Sequence, residues 1–131
     1  MSDRTSGTSG GKERWHGVTA SALLLLVGSL IPLPPRHNPD FGAYGPDKLL
    51  HLLGHAGFAA ALVAAFDDTE PPFRGALTAV VVSTAYGVGT ELLQEVIPGR
   101  EFERGDVMAS LVGSIIGAFG WLLLRTRKSA A

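Results

Sequence analysis

The chain has no cysteine, so disulfides, thiolate metal sites and cysteine nucleophiles are all excluded. Charge is scarce too. Asp, Glu, Lys and Arg make up 18% of the 131 residues, against about 25% in an ordinary soluble domain. Neither sign dominates, and a net charge of −1 offers no electrostatic footprint for a nucleic-acid partner. The 46% hydrophobic content excludes a disordered chain. What charge there is avoids four stretches completely: Trp15–Pro35, Leu49–Phe66, Gly75–Thr90 and Val107–Leu124, of 21, 18, 16 and 18 residues. At 1.5 Å of rise per residue, about 20 apolar residues cross a hydrocarbon core ~30 Å thick. The pattern points to a small integral membrane protein and away from a soluble enzyme. A soluble four-helix bundle would need polar residues every third or fourth position on each outward face, and these stretches lack them.

The expected fold is all-α, a bundle of four transmembrane helices over about 15–33, 47–66, 73–97 and 106–124. Residues 1–14, rich in Ser, Thr and Gly with no apolar residue after Met1, read as a flexible tail. Residues 15–124 form the membrane domain, and 125–131 form a short basic tail. The first span has a basic start and an apolar middle, as a signal peptide does. Its apolar run, however, continues past the faint Val27-Gly28-Ser29 triplet to Pro32, so it reads as a span. Pro32, Pro34 and Pro35 end it, because proline lacks an N–H donor and bars the preceding residue from helical angles. Pro46 suits a helix start, Asp47 suits the positive end of the helix dipole, and Pro98-Gly99 breaks the third span.

An even number of spans puts both tails on one side. That side carries seven Lys and Arg residues: Arg4, Lys12, Arg14, Arg74, Arg125, Arg127 and Lys128. The other carries four: Arg36, Lys48, Arg100 and Arg104. The bias predicts a cell-membrane protein with both termini in the cytoplasm. Small residues recur every fourth position, at Gly57, Ala61 and Ala65 and at Ala109, Gly113 and Gly117. Such stripes let helix backbones approach closely in lipid. Two readings stay open: packing within the bundle, or a homodimer through the Gly113/Gly117 face.

The polar residues of the spans gather at one membrane level. Asp47, Lys48, His51 and His55 open span two; Glu91, Gln94 and Glu95 close span three; Arg100 and Arg104 follow; Asp106 opens span four. Asp47, His51 and His55 stand at i, i+4 and i+8, on one helix face over about 12 Å of rise. Buried ionisable groups are costly in a membrane and face protein or a water-filled cavity. Three uses compete. The first is a polar network that pins the helices. The second is a pocket at the outer leaflet, with Asp47, Lys48, His51, Glu91, Gln94, Arg100 and Asp106 as its binding residues. There Lys48 and Arg100 would hold an anion, and His51, Glu91 and Asp106 would do acid–base work. The third is a metal site using His51, His55, Glu91 and Glu95. His51-Leu-Leu-Gly-His55 has Leu52 where a zinc protease of the HExxH type carries Glu, which weakens that reading. Ser83, Thr84 and Thr90 are nucleophiles only in principle, since no GxSxG elbow marks one. No phosphate-cradling loop is present either, and no cofactor is expected.

Asp47-Lys48-x-x-His51, Tyr86-Gly87-x-x-x-Glu91-x-x-Gln94, Pro98-Gly99-Arg100 and Asp106-x-x-Ala109-Ser110-x-x-Gly113 follow one another in this order. In that series the chain resembles the VanZ-like family over about residues 46–120. The resemblance implies a polytopic membrane protein related to one linked with teicoplanin resistance. It suggests a lipid-linked envelope precursor as the partner, beside membrane lipids. The chain departs from the family pattern at His55, where an aromatic residue is usual, and at Ser110, where Asn is usual.

Overall fold

The computed structural model describes residues 6–30, 46–66, 71–97 and 104–130. All four segments are helical: α1 Ser6–Leu30, α2 Pro46–Phe66, α3 Pro72–Gln94 and α4 Arg104–Ala130. No strand occurs among the described residues. Pro46 and Pro72 stand at helix starts, where the missing N–H costs nothing and the fixed φ suits the first turn. The Gly75 N–H bonds to the Pro71 carbonyl at 2.9 Å and closes the first turn of α3. At its other end α3 tightens instead of running on to 97. The Val96 N–H reaches Leu93 O at 3.1 Å and the Ile97 N–H reaches Gln94 O at 3.0 Å, the three-residue bonds typical of a closing turn. α1 begins at Ser6, within the residues 1–14 read from composition as a tail. Helix propagates outward from the apolar segment, because each added residue gains a hydrogen bond without repeating the cost of nucleation.

Among the described residues, three helices are long and apolar enough to cross a membrane: 48–66, 72–94 and 104–127. In α1 the charge-free part of the described helix begins only after Lys12, Glu13 and Arg14. The bundle is inverted relative to a soluble protein. Leu24, Leu50, Val81, Val96, Ile116 and Leu124 point outward, while the buried positions are largely Ala, Gly and Ser with a few larger side chains. An apolar surface on this scale fits lipid rather than water.

α2 packs against all three other helices. Its closest approach is to α4. A Cβ at Gly113 would collide with the Leu52 carbonyl, and one at Gly117 with the Ala56 carbonyl. The Gly113/Gly117 stripe thus seats α2 of the same chain, with no side chain between the backbones. On the other flank, Tyr86 donates its hydroxyl to Ala22 O at 2.6 Å and joins α3 to α1.

The interior divides along its length. At the end shared by the two chain termini it is apolar, built from Phe58, Ala59, Leu62, Val63, Ala76, Ala79 and Ala118. Aromatic pairs ring this end: Trp15 against Phe66 at 5.8 Å and Phe73 against Phe119 at 5.9 Å. Toward the other end the interior turns polar.

Candidate functional site

The polar half begins where α2 and α4 enter the bundle and α3 leaves it. His51, one turn into α2, sends its ring between α3 and α4. Its Nε2 lies 3.5 Å from Glu91 Oε1 and 3.7 Å from Asp106 Oδ2. Lys48, one turn earlier on α2, brings its Nζ to 3.8 Å from Asp106 Oδ1. The Glu91 side chain is completely buried, Asp106 is 8% exposed and His51 11%. One donor atom from each of His51, Glu91 and Asp106 falls within 4.8 Å of the others. The His51 Nδ1 is buried and has no hydrogen-bond partner among the described residues.

The cluster carries a formal charge of −1 with His51 neutral: two carboxylates against one ammonium. Its three salt-bridge distances run from 3.5 to 3.8 Å. An N–H···O hydrogen bond prefers 2.7–3.2 Å.

A second layer lies one turn deeper. His55 stacks on His51, with centroids 6.2 Å apart and planes 9° from parallel. Its Nδ1 is 2.9 Å from Ser83 Oγ. Ser114 Oγ stands 2.7 Å from Ser83 Oγ and 2.6 Å from Ser110 O. The Ser114 hydroxyl has one proton, so two arrangements satisfy the chain. Either His55 Nδ1–H donates to Ser83, Ser83 to Ser114, and Ser114 to the Ser110 carbonyl. Or Ser114 donates to Ser83, and Ser83 to a bare His55 Nδ1. Gly87 makes this layer possible, because a Cβ there would lie 2.9 Å from the Ser110 side chain and 3.2 Å from the His55 ring.

Lys48, His51, Glu91 and Asp106, all expected as binding residues, come together. Gln94 is buried beside them but donates its Nε2 to Ser29 O at 3.0 Å, so it fastens α1. Arg100 lies outside the described residues, and so does the side chain of Asp47. The metal set of His51, His55, Glu91 and Glu95 is corrected. His55 faces Ser83, and Glu95 is exposed at the cap that ends α3. Asp106 stands in their place, from a third helix. Ser114 was not anticipated. Its spacing of four from Ser110 was the available signal, hidden in a helix that reads as uniformly small and apolar.

These features define an all-helical protein with several membrane-spanning segments and a buried His–carboxylate–lysine cluster at one end. No family model, no curated protein and no solved structure matches the chain.

Proposed function

We propose that this is a VanZ-like integral membrane protein that crosses the membrane four times and binds or acts on a lipid-linked envelope component at the outer leaflet. α1 supplies the fourth span, its apolar run reaching Leu33 in sequence. Both termini lie in the cytoplasm, in line with the seven-to-four excess of Lys and Arg on the tail side. The cell membrane is its location, and the cluster faces outward.

One observation carries the reading: a fully buried Glu91, with His51 and Asp106 beside it, in a bundle whose other half is apolar. Ionisable groups are retained inside membranes where they serve a purpose. His51 is the group suited to share or pass a proton, with Glu91 and Asp106 fixing its orientation. Lys48, with Arg104 at the start of α4 and Arg100 four residues before it in the sequence, supplies the positive charge for an anionic headgroup.

A second reading has its own support. Gln94 to Ser29 and Tyr86 to Ala22 are bonds between helices, so part of the polar set is structural. On that reading the protein is a scaffold or partner subunit, and the cluster is glue.

Two experiments decide. Single cysteines at Arg104 and at Arg74 in intact cells should react with a membrane-impermeant maleimide at 104 and stay unlabelled at 74. The reverse pattern inverts the topology. Mass spectrometry of the purified chain should then find a prenyl-phosphate lipid that Glu91→Gln and His51→Asn lose at unchanged abundance and melting temperature. Variants that keep the lipid, or bind none and merely melt earlier, support the scaffold.

A further inference from the structure

We infer that His51, Glu91 and Asp106 form a binding site for a divalent metal ion of the Zn2+ and Mn2+ class. The inference rests on the reading of this cluster as a site, and adds to it the cation that occupies it.

Geometry is the first argument. Two ligands sharing an ion at the usual bond length of ~2.0–2.2 Å stand about 3.4 Å apart in a tetrahedron. His51 Nε2 lies 3.5 and 3.7 Å from the two carboxylate oxygens, and all three donors fall within 4.8 Å. The two separations from His51 Nε2 are too long for N–H···O hydrogen bonds and close to ligand–ligand spacing. Each donor comes from a different helix, so the set is a fixed three-sided cage and not a flexible surface patch. Three protein ligands also leave a tetrahedral ion one open position.

Charge is the second. Lys48, Glu91 and Asp106 sum to −1 with His51 neutral, in an interior where charge is poorly solvated. A dication held by the two carboxylates would offset their charge and add positive charge beside Lys48 for an anionic headgroup. Ligand chemistry is the third argument. An imidazole with two carboxylates suits zinc or manganese, whereas calcium and magnesium favour all-oxygen cages and copper(I) favours sulfur.

The test uses the full chain in lipid nanodiscs, stripped with chelator and dialysed against Zn2+, with metal measured by mass spectrometry and affinity by competition with a chromophoric chelator. One Zn2+ per chain is expected. Glu91→Gln and Asp106→Asn, which keep side-chain volume, should each weaken it at least tenfold, the lower range for disturbing a metal site. His51→Ala should do the same. Lys48→Met, which removes a competing positive charge, should bind at least as tightly as the native chain. Co2+ substitution of the unmutated chain gives an independent readout: intense visible bands report a tetrahedral site and do not depend on any variant folding. The inference is overturned if the native chain holds no stoichiometric Zn2+, or if the variants bind it unchanged. A metal-free chain whose Glu91→Gln form still loses its lipid leaves the proposed function standing and removes only the metal.

Discussion

Gly117→Ala and Gly120→Ala place the same methyl on the same helix three residues apart, and the structure assigns them opposite effects. At Gly117 the new Cβ would strike the backbone carbonyl of Ala56, while at Gly120 it meets nothing within 4 Å. Ordinary contact begins at 3.4 Å, so α2 and α4 must part by about 1 Å or more to admit the methyl at 117. No flexible side chain can yield, because the obstacle is backbone. Overpacking of this kind costs ~1–3 kcal/mol. Replacing Gly by Ala in a helix gains ~1 kcal/mol in propensity. Gly120→Ala therefore gains up to that amount, and Gly117→Ala loses a net ~0–2 kcal/mol. The propensity contribution cancels between the two variants, so their difference isolates the helix contact and should be ~1–3 kcal/mol. Reversible unfolding of the purified chain in mixed detergent micelles, followed by Trp fluorescence, measures it. Trp15 and Trp121 provide the signal. Equal stability of the two variants would refute the α2–α4 contact. So would a Gly117→Ala form more stable than the native chain.

Other consequences are smaller in scope. Tyr86→Phe removes one bond to Ala22 O and should cost ~0.5–1.5 kcal/mol in the same unfolding experiment, with no change in Zn2+ binding. Ser83→Ala leaves His55 Nδ1 without its hydroxyl partner in a buried layer and should cost ~1–3 kcal/mol. An undiminished stability there would mean that the His55–Ser83–Ser114 chain contributes nothing. Glu95→Gln alters an exposed carboxylate beyond the end of α3 and should change neither stability nor metal content, which makes it the control for Glu91→Gln. Gly113→Ala, one turn nearer the cluster, should weaken Zn2+ binding as well as stability, because parting α2 from α4 draws His51 away from Asp106.

Much of the architecture is legible in composition. Charge-free runs mark α2, α3 and α4 to within a few residues, because only an apolar helix of about 20 residues is stable in a bilayer core. Prolines 46, 72 and 98 sit where helices begin or where the third span gives out. The start of α1 was less visible. Its first residues have the composition of a tail and are helical through attachment to the segment that follows. The common level of Lys48, His51, Glu91 and Asp106 also follows from sequence, since alternating spans return to the same face.

Which of those residues meet did not follow. Helical spacing places Asp47, His51 and His55 on one face, and Glu91 with Glu95, but it says nothing of how each helix is rotated toward its neighbours. That rotation is set by Gly113 and Gly117 closing on Leu52 and Ala56, and by Tyr86 and Gln94 binding α1. It draws Asp106 to His51, sends His55 to Ser83 and leaves Glu95 outside. Sequence alone determined that the chain enters a membrane and at which end its charges gather, because burial of backbone and charge in lipid is decided helix by helix. Tertiary structure alone decided which three donor atoms come within 4.8 Å of one another, because that depends on close packing between helices distant in the chain.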